Sequence, residues 1–285
     1  MTIFYDQSCL EYSSPGHPER PERIARTAPL VRDRHPSWEW RKPGTATDEQ
    51  LLRAHSREHI NRVVKAQNDF DADTPRYPNI EMHARRSASA AIEATRSAVQ
   101  GEPAFSLMRP PGHHAMRDRA MGFCYFSNIA VAALEAFENG VKRIAIWDFD
   151  GHHGNGTEAI VAHDERIRFA SIHQFPAYPG TGTKSFANID NYLIPPYTSR
   201  EGTLEIARRS LDKLIGFGPD LLLVSAGFDA YARDPLLQLT LEPEDFATFG
   251  AWLNESDIAI AVALEGGYSD DLPELIDAFL TAWQR

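Results

Sequence analysis

The chain has little cysteine, no long apolar run and no excess of positive charge. Cys9 and Cys124 are its only cysteines, so a disulfide framework is excluded and we expect two free thiols in a reducing compartment. No apolar segment approaches the roughly 18–20 residues that a membrane-spanning helix needs. The first residues also lack the charged and apolar regions of a signal peptide. We therefore expect a cytoplasmic protein without a membrane partner.

The charge balance is acidic. The 285 residues include 29 Lys and Arg against 40 Asp and Glu, a formal net charge of -11. This balance argues against a nucleic-acid partner and weakly favours a cationic substrate. Apolar residues make up 42% of the chain and charged residues 24%, which is typical of a globular protein with a sizeable core.

The hydrophobic pattern predicts the fold class. Apolar runs typical of strands alternate with longer helical stretches, the signature of βαβ units and a parallel sheet. Runs such as residues 221–224 are apolar throughout, which fits strands covered on both faces. We predict a single α/β domain over residues 1–285, with a central, mainly parallel sheet flanked by helices on both faces. The predicted strands are 2–5, 104–108, 143–148, 168–173, 220–225 and 258–264, and the predicted helices are 21–34, 58–66, 80–99, 128–138, 156–162, 204–215, 243–254 and 273–283.

A candidate metal site follows the predicted strand 143–148. Residues two apart on an extended chain point the same way, so Asp150 and His152 can share one face. A carboxylate and an imidazole with this spacing can bind one divalent cation. Asp229, after the buried strand that ends at Ser225, is the best candidate for a third ligand. Three protein ligands leave a position for water, which is typical of a catalytic metal. Taken alone, an Asp-x-His segment more often caps a turn.

Two histidines form a candidate acid–base pair. His113 and His114 follow Arg-Pro-Pro-Gly after the predicted strand 104–108. One could take a proton from water and the other deliver one to a leaving amine. Each would need a hydrogen-bond partner on its other ring nitrogen. Asp148 and Asn155 are placed to serve them. Taken alone, a tandem histidine pair is more often structural.

A tyrosine is the candidate oxyanion donor. Tyr268 closes the segment Leu-Glu-Gly-Gly-Tyr after the last apolar strand. The two glycines let this loop pass close to a ligand. The hydroxyl of Tyr268 could then donate to a developing oxyanion.

These segments, in this order, resemble the histone deacetylase family. That family includes bacterial acetylpolyamine amidohydrolases and shares the arginase-like deacetylase fold. Leu-Glu-Gly-Gly-Tyr, together with Asn155 where class I proteins carry aspartate, is similar to the class II branch. The segments that carry the resemblance are residues 16–23, 122–125, 148–157, 178–182, 225–229 and 264–268.

The resemblance implies roles for the candidate residues. It implies zinc bound by Asp150, His152 and Asp229, although the same donor types accept Fe²⁺. It implies His113 and His114 as the acid and base machinery, with His114 as the general base, and Tyr268 as the group that polarises the scissile carbonyl. A structural potassium ion is also implied, held by backbone carbonyls of Asp148, Asp150, His152, Ser171 and Ile172 and by side-chain oxygens of Asp148 and Ser171.

The resemblance further implies a narrow substrate channel. Phe123 and Tyr178 would form its walls, with tyrosine where the family usually has phenylalanine. The carbonyl of Gly122 would accept the substrate amide, and Asp73 would bind the substrate backbone at the rim. Leu236 occupies a rim position where polyamine-selective relatives often place an acidic residue.

Several functions remain open at this point. The first is removal of acetyl groups from N-acetyl-lysine in a peptide or protein, and the second is deacetylation of acetylpolyamines or another small acyl amine. A binding protein without catalysis is a third, and a manganese ureohydrolase a fourth. The filled catalytic positions argue against the third, and the absence of surplus carboxylates and histidines for a second metal argues against the fourth. The sequence does not give the oligomeric state.

Overall fold

The computed structural model describes residues 1–284, so only Arg285 of the predicted domain lies outside the described residues. These residues form one sheet with helices packed around it. The strands are β1 (Thr2–Phe4), β2 (Glu39–Arg41), β3 (Ala104–Ser106), β4 (Ile144–Asp148), β5 (Ile167–Gln174), β6 (Ile189–Ile194), β7 (Leu221–Ala226) and β8 (Ala259–Leu264). The helices are α1 (Glu22–Arg34), α2 (Asp48–Leu52), α3 (Arg57–Val64), α4 (Ile80–Val99), α5 (Asn128–Glu138), α6 (Asn155–Val161), α7 (Arg200–Gly216), α8 (Pro243–Asn254) and α9 (Leu272–Trp283), with a short 3₁₀ helix at Gln7–Leu10.

The strand order is β2-β1-β3-β8-β7-β4-β5-β6, and every neighbouring pair of these strands is parallel. The predicted α/β class is therefore confirmed, and the sheet is entirely parallel in the described residues rather than mainly so. Every residue of β4 and β7 is buried, as expected for parallel strands covered on both faces. Trp147 in β4, for example, donates its indole N–H to Ser210 in α7 at 2.9 Å and packs edge-on against Phe249 in α8.

Local sequence signals set several helix ends. Ser56 caps α3 by accepting the N–H of His59, a bond that satisfies one free donor of the first turn. Gly101 and Gly140 follow α4 and α5 with φ of +87° and +90°, the left-handed conformation that glycine adopts without strain. The observed bounds of α4, α5 and α8 are those predicted.

The two edge strands and one short helix were not predicted. β2 is partly exposed along its length, and β6 is partly exposed at residues 191–193. Neither has the continuous apolar run that marks a strand buried on both faces. α2 has only five residues, too few to show a helical period.

The strand order positions the candidate site. β3, β8, β7 and β4 are consecutive neighbours, and all four run in the same direction. Their carboxyl ends therefore meet at one edge of the sheet, which is where open α/β sheets bind ligands. The segments after these four strands contain the candidate catalytic and metal-binding residues. Among residues 1–284, no helix combines the length and the apolar character needed to cross a lipid bilayer.

Candidate active site

Three side chains converge after β4 and β7. Asp150, His152 and Asp229 are buried, and one ligand atom from each lies within 4.8 Å of the others. Nδ1 of His152 is 2.6 Å from Oδ2 of Asp229 and 3.3 Å from Oδ1 of Asp150. Two carboxylates and one imidazole directed at one point are the donor types that bind Zn²⁺ or Fe²⁺.

Backbone N–H groups hold the two carboxylates in place. Asp150 accepts the N–H of Gly266 at 2.7 Å and that of His152 at 2.9 Å. Asp229 accepts the N–H of Gly151 at 2.6 Å. A Cβ atom at Gly266 would lie 2.5 Å from the Asp150 carboxylate, and one at Gly227 would overlap it. Glycine at these positions therefore lets the backbone approach the carboxylates closely.

The electrostatics of this triad favour a cation. Burial and the neighbouring Asp150 carboxylate raise the pKa of Asp229 to about 6. Burial lowers the pKa of His152, but the carboxylates of Asp229 and Asp150 outweigh it and raise that pKa to about 10. Within the triad, two buried carboxylates face a single imidazole, and buried carboxylates are costly to keep charged at low dielectric. A divalent cation would supply the missing positive charge, so the residues present fit a metal.

His113 lies beside this triad and is directed by a carboxylate. Its Nδ1 is 3.2 Å from Oδ2 of Asp148, and its Nε2 is 3.8 Å from Oδ1 of Asp150. Burial lowers the pKa of His113, yet Asp150 and Asp148 outweigh burial and raise it to about 10. This imidazole is therefore held in its protonated form near neutral pH.

His114 has the opposite environment. Its Nδ1 is 2.7 Å from the amide oxygen of Asn155, which accepts a hydrogen bond and carries no charge. Burial and the charges of His113 and His152 lower the pKa of His114 well below its usual value. With the proton held on Nδ1, the lone pair of Nε2 is available to accept a proton. The structure thus places Asp148 and Asn155 against the two histidines that the sequence analysis paired them with.

Tyr268 completes the polar end of the site. Its backbone N–H donates to Oδ2 of Asp234 at 2.7 Å, its ring packs edge-on against Phe123, and the guanidinium of Arg23 lies over the ring at 4.9 Å. Burial raises the pKa of Tyr268 well above its usual value. The hydroxyl therefore keeps its proton and can act as a donor.

A cavity of about 380 Å³ opens onto these groups. Tyr178 packs edge-on against His114 with ring centroids 5.2 Å apart, and Phe123 faces Tyr268. Gly122 and Phe123 have φ of +57° and +68°, and a Cβ at Gly122 would lie 2.5 Å from the His114 ring. The cavity is lined by His17, Pro18, Asp73, His114, Gly122, Phe123, His152, Tyr178, Leu236 and Tyr268. All five predicted substrate-binding residues are in this set.

The residues of the predicted potassium site lie on two adjacent strands, β4 and β5, and in the loop that follows β4. Asp148 in β4 pairs in register with Ser171 in β5, and Ile172 follows. The hydroxyl of Ser171 is 2.9 Å from Nδ1 of His173, and Oδ1 of Asp148 accepts the N–H of Asp150. The assignment of potassium to this position stays a prediction.

Several buried charged residues around the site were not predicted to have a role. Arg109 has no exposed surface and is paired with Glu19, which is itself buried. Asp234 and Glu265 are buried acceptors of backbone N–H groups. For Glu265 the available signal was its position between an apolar strand and two glycines. Arg109 and Glu19 are 90 residues apart, so a single sequence could not pair them.

Comparisons with known proteins show which family the chain resembles. A family model described as Histone deacetylase domain matches residues 17–282. A protein named probable deacetylase from Methanothermobacter thermautotrophicus is 36% identical over 300 residues, covering 100% of this chain and 90% of its own length. The histone deacetylase-like amidohydrolase of Pseudomonas aeruginosa is 36% identical over 280 residues, covering 90% of this chain and 73% of its own length.

A solved structure shows the same fold. The acetylpolyamine aminohydrolase from Burkholderia pseudomallei superimposes with a TM-score of 0.90 at 24% sequence identity, covering 99% of this chain and 98% of that one. At this identity the likeness shows the fold alone. Together, the family match and the names of the relatives confirm the predicted enzyme class, a hydrolytic deacetylase. The chain belongs to the histone deacetylase family.

Proposed function

We propose that the chain is a zinc-dependent amidohydrolase that removes the acyl group from an N-acyl amine such as N-acetyl-lysine. One observation carries the proposal: His114 and His152, a base candidate and a candidate metal ligand, line the same cavity as Tyr268. A cation site, a proton acceptor and a hydroxyl donor are therefore within reach of one bound acyl group.

Asp150, His152 and Asp229 would hold the metal. When bound, Zn²⁺ would act as a Lewis acid and lower the pKa of a water molecule. Fe²⁺ suits the same donors, so the proposal of zinc rests on the usual preference of such sites. We further assign a structural potassium ion to Asp148, Asp150, His152, Ser171 and Ile172.

The chain's own residues supply the proton transfers. His114 accepts a proton at Nε2 from the attacking water, since Asn155 keeps the other proton on Nδ1. His113, held protonated by Asp148 and Asp150, supplies a proton for the leaving amine. The hydroxyl of Tyr268 donates to the carbonyl oxygen as negative charge develops there. The products are acetate and a free amine.

The channel residues select and orient the substrate. Phe123 and Tyr178 face the cavity and would enclose an aliphatic stem such as that of lysine. The carbonyl of Gly122, which also accepts the thiol of Cys124 at 3.2 Å, would accept the N–H of the scissile amide. Asp73 and Leu236 lie at the rim, where Asp73 would bind the backbone of a peptide.

An acetylated polyamine is the second candidate substrate. Asp71 and Asp73 are exposed beside the channel wall that Tyr178 forms, and carboxylates at this place would attract a second ammonium group. Leu236 is apolar at a rim position where polyamine-selective relatives often have an acidic residue, and this favours the peptide over the polyamine as substrate. The two substrates differ in what lies outside the channel and share the same chemistry inside it.

Acetate release from a matched panel tests the proposal. The zinc-loaded protein is assayed with an acetyl-lysine peptide, acetylputrescine and acetylspermidine, with Asp229→Asn as the control that removes a metal ligand. Higher kcat/KM for the peptide supports the first substrate, and higher kcat/KM for the polyamines supports the second. No release from any of the three by the metal-loaded protein, with equal results for Asp229→Asn, would refute acetyl removal from these amines.

A further inference from the structure

One buried carboxylate near the site has no part in the proposed chemistry. Glu265 follows β8, and its side chain has no exposed surface. Its Oε2 accepts the backbone N–H of Gly112 at 2.6 Å and that of His113 at 3.1 Å, while Oε1 accepts the hydroxyl of Ser225 at 3.2 Å. Three donors thus converge on one carboxylate from two other segments of the chain.

The segment that Glu265 holds is confined on its other side by α5. Asn128 in that helix donates its side-chain N–H to the carbonyl of Pro110 at 3.1 Å. A Cβ at Gly112 would overlap the backbone of Asn128. The segment 109–114 is therefore held between α5 and the Glu265 carboxylate, and His113 and His114 are its last two residues.

Gly266, the next residue after Glu265, contacts a member of the metal triad. The backbone N–H of Gly266 donates to Oδ2 of Asp150 at 2.7 Å. One dipeptide therefore binds the histidine segment through a side chain and a candidate metal ligand through its backbone. The Glu265 side chain therefore spans the distance between the histidine segment and the loop that contacts Asp150.

We propose that Glu265 is a positioning residue that fixes the His113–His114 pair relative to the Asp150, His152 and Asp229 triad. The proposal rests on the proposed roles of these histidines. Positioning of this kind is important because a displacement of about 1 Å at a reacting group can cost about a hundredfold in rate. Glu265 acts through the backbone of Gly112 and His113 and does not itself touch the acyl group.

Two conservative variants separate reach from charge. Glu265→Gln keeps the length of the side chain, and its amide oxygen can accept both backbone N–H groups while Ser225 turns its hydroxyl to accept from the amide N–H. Glu265→Asp keeps the charge but shortens the side chain by one methylene. If Glu265 acts by positioning, the reach of the side chain decides the rate and its charge does not.

The experiment measures kcat and KM on whichever amide of the panel the unaltered chain hydrolyses, together with the amide proton shift of Gly112 by NMR. We expect Glu265→Gln to keep kcat and the shift near those of the unaltered chain. We expect Glu265→Asp to lower kcat by about ten- to a hundredfold with KM little changed, and to move the Gly112 resonance upfield as its hydrogen bond weakens. Glu135→Asp and Glu135→Gln are matched controls, because Glu135 is buried in α5 and pairs with Arg53 and Arg96.

Two results would overturn the proposal: a Glu265→Asp enzyme as fast as the unaltered chain with an unmoved Gly112 resonance, or a larger loss in Glu265→Gln than in Glu265→Asp. The NMR shift is read on protein without substrate. A chain that hydrolyses none of the panel would therefore refute the proposed function and still report whether Glu265 holds the segment.

Discussion

The pairs His55–His59 and His113–His114 are both buried but have opposite surroundings. His55 precedes α3 and His59 lies within it. The ring centroids of this pair are 5.1 Å apart, and those of His113 and His114 are 3.9 Å apart. Both hydrogen bonds of the His55 ring are to backbone groups: Nδ1 donates to the carbonyl of Met116 at 3.0 Å, and Nε2 accepts the N–H of Ser127 at 2.9 Å. The pair at the site instead faces carboxylates and an amide.

The difference shows that burial does not identify a catalytic histidine. Burial, with a contribution from His59, lowers the pKa of His55 to about 3, and burial also lowers that of His59. At His113 the same burial is outweighed by Asp150 and Asp148, and the pKa rises to about 10. The chemistry of the partners, side chains at His113 and His114 against backbone at His55, therefore separates the proposed proton-transfer pair from the other pair.

Removing one ring from each pair should have different consequences at the two places. We expect His114→Ala to lower kcat by about 10²- to 10⁴-fold, the usual contribution of a positioned general base, with little change in KM. We expect His59→Ala to lower the free energy of unfolding and leave kcat of the folded protein near normal. Steady-state kinetics and urea unfolding on both variants check this. Comparable losses of kcat in the two would mean that the pairs are not functionally distinct.

A second test makes the surroundings of His113 more like those of His55. Asp148→Asn removes one of the carboxylates that raise the pKa of His113, and an adjacent opposite charge is worth about 1–3 pKa units. His113 must be protonated to act as an acid, so the alkaline limb of the kcat profile should move to lower pH. We expect kcat at pH 8 to fall by about tenfold for each unit by which the pKa drops below that pH. An alkaline limb that stays in place would assign it to another group.

A third test makes the surroundings of His114 more like those of His113. Asn155→Asp places a carboxylate 2.7 Å from its Nδ1, where the amide oxygen now lies. The pKa of His114 should rise by about 1–3 units. Because a base must be deprotonated to work, the acidic limb of the kcat/KM profile should shift to higher pH, with activity recovered at alkaline pH. If the acidic limb lies at the same pH in Asn155→Asp and in the unaltered chain, His114 is not the titrating base.

The sequence predicted the interior of the fold better than its edges. β4 and β7 were found because strands buried on both faces have continuous apolar runs, whereas β2 and β6 lie at the sheet edges and lack them. The residues predicted for the metal and the acid–base pair meet as expected, since parallel strands end at a common edge. Glu265 could not be interpreted in the same way, because its function depends on which distant backbone N–H groups reach it.

The smallest expected effect concerns stability, and it separates the pairs without any substrate. His55 has a pKa of about 3 when folded and about 6.5 when unfolded. The unfolded chain therefore binds more protons below pH 6.5, so His55 costs no stability above that pH and progressively destabilises the fold as the pH falls towards 3. Between pH 7 and pH 5 its share of the loss in unfolding free energy is about 2 kcal/mol.

Other groups titrate in the same range, so the measurement is a difference. His55→Gln offers an uncharged amide to the carbonyl of Met116 and the N–H of Ser127. Urea unfolding at pH 7 and pH 5 should show a smaller loss for this variant than for the unaltered chain, because its side chain cannot bind the extra proton when unfolded. Equal losses in the two proteins would mean that His55 is already protonated in the folded state. Its backbone hydrogen-bond partners would then not predict its charge.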